Sequence, residues 1–240
     1  MIRRLALHAS AILLLLAPIV AFAHEPTAPS APAGPPRVGV DYIELPEPMP
    51  QFVPGKIEIA EFFSYACGHC ARFQPHVNEW HKKQKPGSDV RWEYLPAPGN
   101  TLWSNFAKSY LAAQTLGVAE KTHDAVFKAI HQERFFTTGS IEEIADMYAR
   151  FGVDKKKFLA AVYDPAIDEK LDRIEQFARA RGLGGTPTLV VAGRYVVPTT
   201  HDRGFEGQIA TADFLVAKLR AAQPQSKAKQ GKTGKAATAR

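Results

Sequence analysis

Cys67 and Cys70 are the only cysteines in 240 residues, and their placement constrains the fold more than any other feature. A pair three positions apart closes a loop too small to staple much of a chain. It sits between two different patterns. Before it, Lys56–Phe63 alternates and is rich in Ile and Phe, which reads as a strand; after it, Phe73, Val77 and Trp80 share one helical face in a segment running to Lys85. Asp89–Leu95 then reads as a second strand. Strand, helix, strand is the unit that needs a right-handed crossover and parallel pairing. The cysteines therefore fall at the N-terminus of the helix, where unpaired N–H groups and the helix dipole favour an anion.

The pattern changes over residues 100–182. Trp103, Phe106, Tyr110, Leu111 and Leu116 recur at helical spacing, with Gly117 as a stop, and a second helix is expected over Ala119–His131. Ser140-Ile141-Glu142-Glu143 is a capping box that opens a helix carrying Ile144 and Tyr148. Asp154 caps a short helix, and Asp164-Pro165 opens another that ends near Gly182. After this block strands return. Thr186–Val191 and Tyr195–Val197 flank Ala192-Gly193 as an antiparallel hairpin, and Thr211 caps a last helix with Phe214, Leu215 and Leu219. With Val40–Leu45 as a short edge strand, the expected fold class is α/β: a thioredoxin-like domain (40–99 and 183–222) with an inserted helical domain (100–182).

The ends of the chain bear on compartment. Arg3 and Arg4, an apolar run through Val20, and Ala21-Phe22-Ala23 have the layout of a secretory signal peptide over 1–23, too short in its apolar part for a comfortable membrane span. With no cysteine near the cleavage site a lipoprotein is excluded, and the mature protein is expected to be exported and soluble. Residues 24–39 read as a proline-rich, mobile linker and 223–240 as a disordered basic tail. Arg3, Arg4 and five tail cations account for the formal charge of +6, leaving the folded part near −1. No nucleic-acid-binding face follows from the basic pI. The tail is read as solvated, with contact to anionic lipid or a membrane partner as the alternative.

The spacing allows several uses of the two thiols. Structural zinc needs about four ligands, and no second cysteine pair or ligand cluster is evident, so neither metal nor cofactor is expected. Covalent c-type haem needs histidine directly after the second cysteine, where Ala71 stands. An inert structural disulfide would make the strand–helix placement a coincidence. Redox chemistry uses it: a thiolate at Cys67, Cys70 one turn along to resolve a mixed disulfide, and His69 between them to add a donor or a positive charge. Glu61 alternates with Ile57 and Ile59, which puts it on an apolar face; the competing reading is an acid at an exposed strand end. His76 and His81 are read as surface residues.

The segment Glu61-Phe62-Phe63-Ser64-Tyr65-Ala66-Cys67-Gly68-His69-Cys70 resembles the active site of the DsbA family of periplasmic thiol:disulfide oxidoreductases. Gly185-Thr186-Pro187-Thr188 resembles the cis-proline loop of thioredoxin-fold proteins. The resemblance covers about residues 40–222 and implies Cys67 as nucleophile, Cys70 as resolving thiol, Pro187 as the cis-proline beside them with Thr186 at the substrate, and Glu61 as a buried proton relay. It also implies reduced, unfolded exported polypeptides as substrates, a DsbB-type quinone-linked membrane partner and a monomer. Four residues depart from the family's usual pattern. Gly68 replaces proline, as in eukaryotic protein disulfide isomerases; Thr186 replaces valine, as in periplasmic isomerases; Gln74 stands where the best-known member has an acid; and Pro75 resembles the kink-forming proline of thioredoxin. These bear on direction, so a disulfide isomerase or reductase and a redox-inactive peptide-binding chaperone stand beside the oxidase. Isomerase relatives dimerise through an N-terminal domain, for which the stretch before Val40 is too short, and that favours the oxidase.

Overall fold

The computed structural model describes residues 34–233 except 49, 53 and 54, with side chains of the last helix described to residue 222. The expected signal peptide, most of the linker, and the end of the tail lie outside the described residues. The elements run β1 (Ile43–Glu44), β2 (Ile57–Phe63), α1 (Gly68–Lys83), β3 (Val90–Pro96), five helices α2 (Thr101–Thr115), α3 (Ala119–His131), α4 (Ile141–Arg150), α5 (Lys155–Val162) and α6 (Pro165–Ala180), then β4 (Thr188–Val191), β5 (Tyr195–Pro198) and α7 (Gly204–Thr233). The sheet order is β1-β5-β4-β2-β3. Of the named strand pairs among the described residues only β2–β3 is parallel, as its crossover helix α1 requires, and Glu61 lies opposite Tyr94 on one side and Leu189 on the other. This is the thioredoxin-like arrangement with a helical insertion between β3 and β4.

The central strand β2 is buried at every position, because helices cover both faces of the sheet. Ile57 and Ile59 join Phe73, Val77 and Trp80 of α1 and Ala212, Leu215 and Val216 of α7 in one core cluster. Ala60, Phe62 and Phe63 join the other, which includes Phe106, Tyr110, Val126, Phe127, Ile144, Tyr148 and Ile174 of the insertion. Trp80 fastens α1 to α7 through its indole N–H, which donates to Asp213 at 2.8 Å. Four of the five insertion helices begin on side-chain caps: Asn100, Ser140, Asp154 and Asp164 accept from Trp103, Glu143, Lys157 and Ala166 backbone N–H groups, while α3 starts after Val118 without one.

Several expectations shift. The last helix begins at Gly204, so Thr211 is not its cap; it is buried in the helix and its hydroxyl donates back to the Gly207 carbonyl at 2.7 Å. The same helix runs on to Thr233, into the stretch read as a disordered tail, where Ala, Lys and Gln have the propensity to extend a helix already nucleated. Strand β4 starts at Thr188, after Pro187, which has no N–H to give a ladder. The Glu143 carboxylate misses Ser140 and instead accepts from the Thr138 and Gly139 N–H groups at 2.9 and 2.7 Å. Near the start, the last residues of the presumed mobile linker are held: the Arg37 guanidinium donates to Asp41 at 2.9 Å, and Arg203 reaches the carbonyls of Gly34 and Pro35. Asp41 is buried, and the hydrogen bond from Arg37 holds its carboxyl down at about 2. Among the described residues no helix is long and apolar enough to cross a membrane.

The double-sided burial of β2 yields a direct test. Ile59 is fully buried, and Ile59→Ala is expected to lower unfolding stability by about 2–5 kcal/mol, read as a shifted urea midpoint at unchanged slope.

Candidate active site

Strand β2 ends at Phe63, and the chain then makes a tight turn in which the Cys67 N–H donates to the Ser64 carbonyl at 3.0 Å and the Ala66 N–H to the Ser64 hydroxyl at 3.2 Å. That turn sets Cys67 as the N-cap of α1, with extended backbone, and its sulfur accepts from the Cys70 N–H at 3.4 Å. A side chain at this position normally supplies an oxygen to the orphan amides of the first turn. Here the acceptor is sulfur. No acidic residue competes in the first turn, while Lys82 and Lys83 complement the dipole in the last.

Across from it lies the loop between α6 and β4. The Thr186–Pro187 peptide is cis, and the Thr186 carbonyl accepts from the Cys67 thiol at 3.5 Å across 119 residues of sequence. Cys67, Cys70, Thr186 and Pro187 are thus brought together. A groove of about 500 Å³ runs beside them, lined by His69, Arg72, Gly185, Thr186, Pro187 and Phe205 among others. The His69 side chain is exposed, so it faces solvent and the groove while its backbone N–H takes part in the thiolate site. A second cleft of about 400 Å³ shares Gly182–Thr186 and is walled by Phe62, Trp103 and Ala178, on the side of the insertion.

The two thiols are free and differ sharply. Cys67 is pulled down from 9.0 to about 5, first by the hydrogen bond from the Cys70 thiol and then by the Thr186 side chain and the Cys70 and His69 amides, against the opposing cost of burial. Cys70 has no exposed surface; burial, its bond to Cys67 and the nearby Glu61 charge push its thiol well above the ordinary range. Glu61 is 1% exposed, which disposes of the exposed-strand-end reading. Burial raises its carboxyl from 4.5 to about 8, partly offset by the Trp92 indole N–H, which donates to it at 3.2 Å, and Cys67 adds to the rise. His76 is half-buried against Phe205; His81 is exposed but packs its ring edge on Trp80 and Trp92.

Sequence reasoning missed the neighbours that complete this site. Trp92 becomes the partner of Glu61 only through the β2–β3 register. Tyr65 and His123 form a buried pair at 2.8 Å between the active-site turn and α3. For His123 a signal was present: it stands one residue from Thr122 and three and four from Val126 and Phe127, on the apolar face of its helix. The Gln74 side chain, buried at the position of the expected family acid, bridges His123, Asn78 and Tyr94. Among the described residues no cluster of metal-ligating side chains occurs.

Comparison with known proteins agrees with this geometry. Residues 58–210 match the sequence profile of the DSBA-like thioredoxin domain. The thiol:disulfide interchange protein DsbA of Pseudomonas aeruginosa is 38% identical over 184 residues, which is 77% of this chain and 86% of that protein. The one from Azotobacter vinelandii is 34% identical over 187 residues, 78% and 86% respectively. The crystal structure of the oxidoreductase DsbA from Xylella fastidiosa superposes with a TM-score of 0.71 at 39% identity, covering 78% of this chain and 99% of that one.

Linkage makes two opposing statements about the reduced protein. Cys67 is depressed on folding, so its stabilisation is complete above about pH 9 and is lost as pH falls through about 5. Glu61 is raised, so its contribution is complete below 4.5 and is lost as pH rises through about 8. Reduced Glu61→Gln is therefore expected to gain stability with pH more steeply than the reduced wild type between about pH 5 and 8, read from urea midpoints.

Proposed function

This chain belongs to the DSBA-like thioredoxin domain family and is a thiol:disulfide oxidoreductase, and we propose that it introduces disulfide bonds into reduced, unfolded polypeptides exported to the periplasm, acting as a monomer through Cys67 and Cys70. The observation that carries this direction is the contrast between Cys67, held as thiolate down to about pH 5, and Cys70, whose thiol resists ionisation. A stabilised thiolate stabilises the reduced enzyme, and a disulfide whose reduced form is stabilised is a strong oxidant.

In the proposed cycle a substrate thiolate attacks the Cys67 sulfur of the enzyme disulfide. The Cys67–Cys70 bond breaks as the mixed disulfide forms, and the departing Cys70 sulfur takes up a proton. Glu61 holds a proton at neutral pH and lies close enough to Cys70 to raise its pKa, which supports it as the donor that relays that proton. The substrate's second thiolate then attacks the substrate sulfur bonded to Cys67, forming the substrate disulfide and expelling Cys67 as thiolate, a good leaving group because it is stabilised. The Thr186–Pro187 loop is the surface against which the substrate backbone lies, and the exposed His69 side chain borders the substrate and the developing thiolate. A DsbB-type quinone-linked membrane oxidase restores the Cys67–Cys70 disulfide by accepting the two electrons. The N-terminal signal layout supports export.

The test is the denaturation midpoint of the oxidised and reduced proteins. The reduced form is expected to be the more stable at pH 7, and its advantage to shrink as pH falls through about 5, where Cys67 is protonated. An oxidised form equally or more stable at pH 7 would overturn the oxidase direction. Cys67→Ser is expected to abolish thiol exchange, and retention of full activity would point to a redox-inactive peptide binder.

A further inference from the structure

Tyr65 stands two residues before Cys67, and the helical insertion grips it at two atoms. The His131 Nε2, on the last residue of α3, lies 2.7 Å from the Tyr65 carbonyl oxygen; a carbonyl only accepts, so this nitrogen carries the proton and donates. The Tyr65 hydroxyl lies 2.8 Å from His123 Nδ1, and His123 Nε2 lies 3.2 Å from Gln74 Oε1. The direction of this chain is set from its outer end. Asp124 accepts only, so Asn78 donates to it through Nδ2 at 2.8 Å and accepts through Oδ1 from Gln74 Nε2 at 3.0 Å. Gln74 is left with Oε1 as acceptor toward His123, which therefore donates from Nε2, and in the neutral imidazole Nδ1 then accepts the Tyr65 hydroxyl proton. Every link has one sense, and it requires a neutral His123. Burial supplies that state by pushing the imidazole down to about 3.

We propose that His131 and His123 are positioning residues for the attacking sulfur: by holding the carbonyl and hydroxyl of Tyr65, they fix the turn that sets Cys67 at the N-terminus of α1. The side chain of Tyr65 is itself seated in the insertion, with ring centroids 5.0 Å from Phe127 and 5.2 Å from His123. The turn it belongs to has little slack. Cys67 receives the Cys70 amide at 3.4 Å, so a rotation of the Tyr65–Ala66 peptide that retracts the sulfur weakens the contact that favours its anion. The insertion thus helps set the acidity of Cys67 from α3, without touching the sulfur. This rests on the reading of Cys67 as the attacking thiolate, which fails separately, by undiminished thiol exchange in Cys67→Ser.

The experiment is a titration of the Cys67 thiolate by ultraviolet absorbance in the reduced protein, run beside thermal unfolding. His131 is only half-buried at a helix end, so His131→Leu removes the donor with little loss of core. It is expected to raise the Cys67 pKa by about one, a tenfold loss of thiolate below the midpoint. His131→Gln offers an amide N–H in place of the imidazole and is expected to titrate close to the wild type. A folded His131→Leu that titrates as the wild type, with only its melting temperature lowered, overturns the proposal, as does His131→Gln no closer to the wild type than His131→Leu. Should His131→Leu not fold, Tyr65→Phe decides, since it keeps the ring and loses only the hydroxyl. There an upward shift supports the hold and an unchanged midpoint overturns it.

Discussion

A sulfur atom occupies the N-cap of α1, and the site follows from that substitution of sulfur for oxygen. The amides of a first helical turn need an acceptor, and the charged form of a thiol answers that need better than its neutral form. The helix therefore stabilises Cys67 as an anion for the same reason it would accept an aspartate there. What surrounds it keeps the sulfur in that position: β2 delivers the turn, the Thr186 carbonyl closes from the opposite side, and Cys70 contributes both its amide and its thiol.

The arrangement is costly to the fold in one place. Glu61 is placed in the central strand with 1% exposure and a single indole donor. A buried carboxyl of this kind is tolerated by remaining protonated to unusually high pH, and a leucine there would pack without that penalty. Its neighbours suit the proton relay proposed for it: Cys70 is more basic than an ordinary thiol, in part through the Glu61 charge, and the Cys67 charge raises Glu61 in turn. Stability is given up at the position proposed for the proton relay.

Much of this was legible in the sequence, and the reasons differ by element. The insertion helices announced themselves because Ser140, Asp154 and Asp164 carry their caps in their own side chains, a local signal that tertiary packing does not alter. Cys67, Cys70 and the Thr186–Pro187 loop were readable as motifs, although only the fold brings 67 beside 186. The start of α7 was misplaced because Thr211 has the chemistry of a cap yet bonds back within its own helix. Trp92 and His131 were invisible as site residues, and His123 showed only its place on the apolar face of α3, since their roles depend on strand register and on how α3 seats against the active-site turn. Local chemistry is written in the chain; partners distant in sequence are written in the packing.

The enzyme carries no thiol outside its reactive pair, and both cysteines are free in a fold whose core is built from apolar side chains on two faces of one sheet. No wrong intramolecular pairing is available to it, and none of its packing waits for a covalent link. A newly made molecule can thus reach its native state without any disulfide catalyst acting on it. The first copy needs no predecessor.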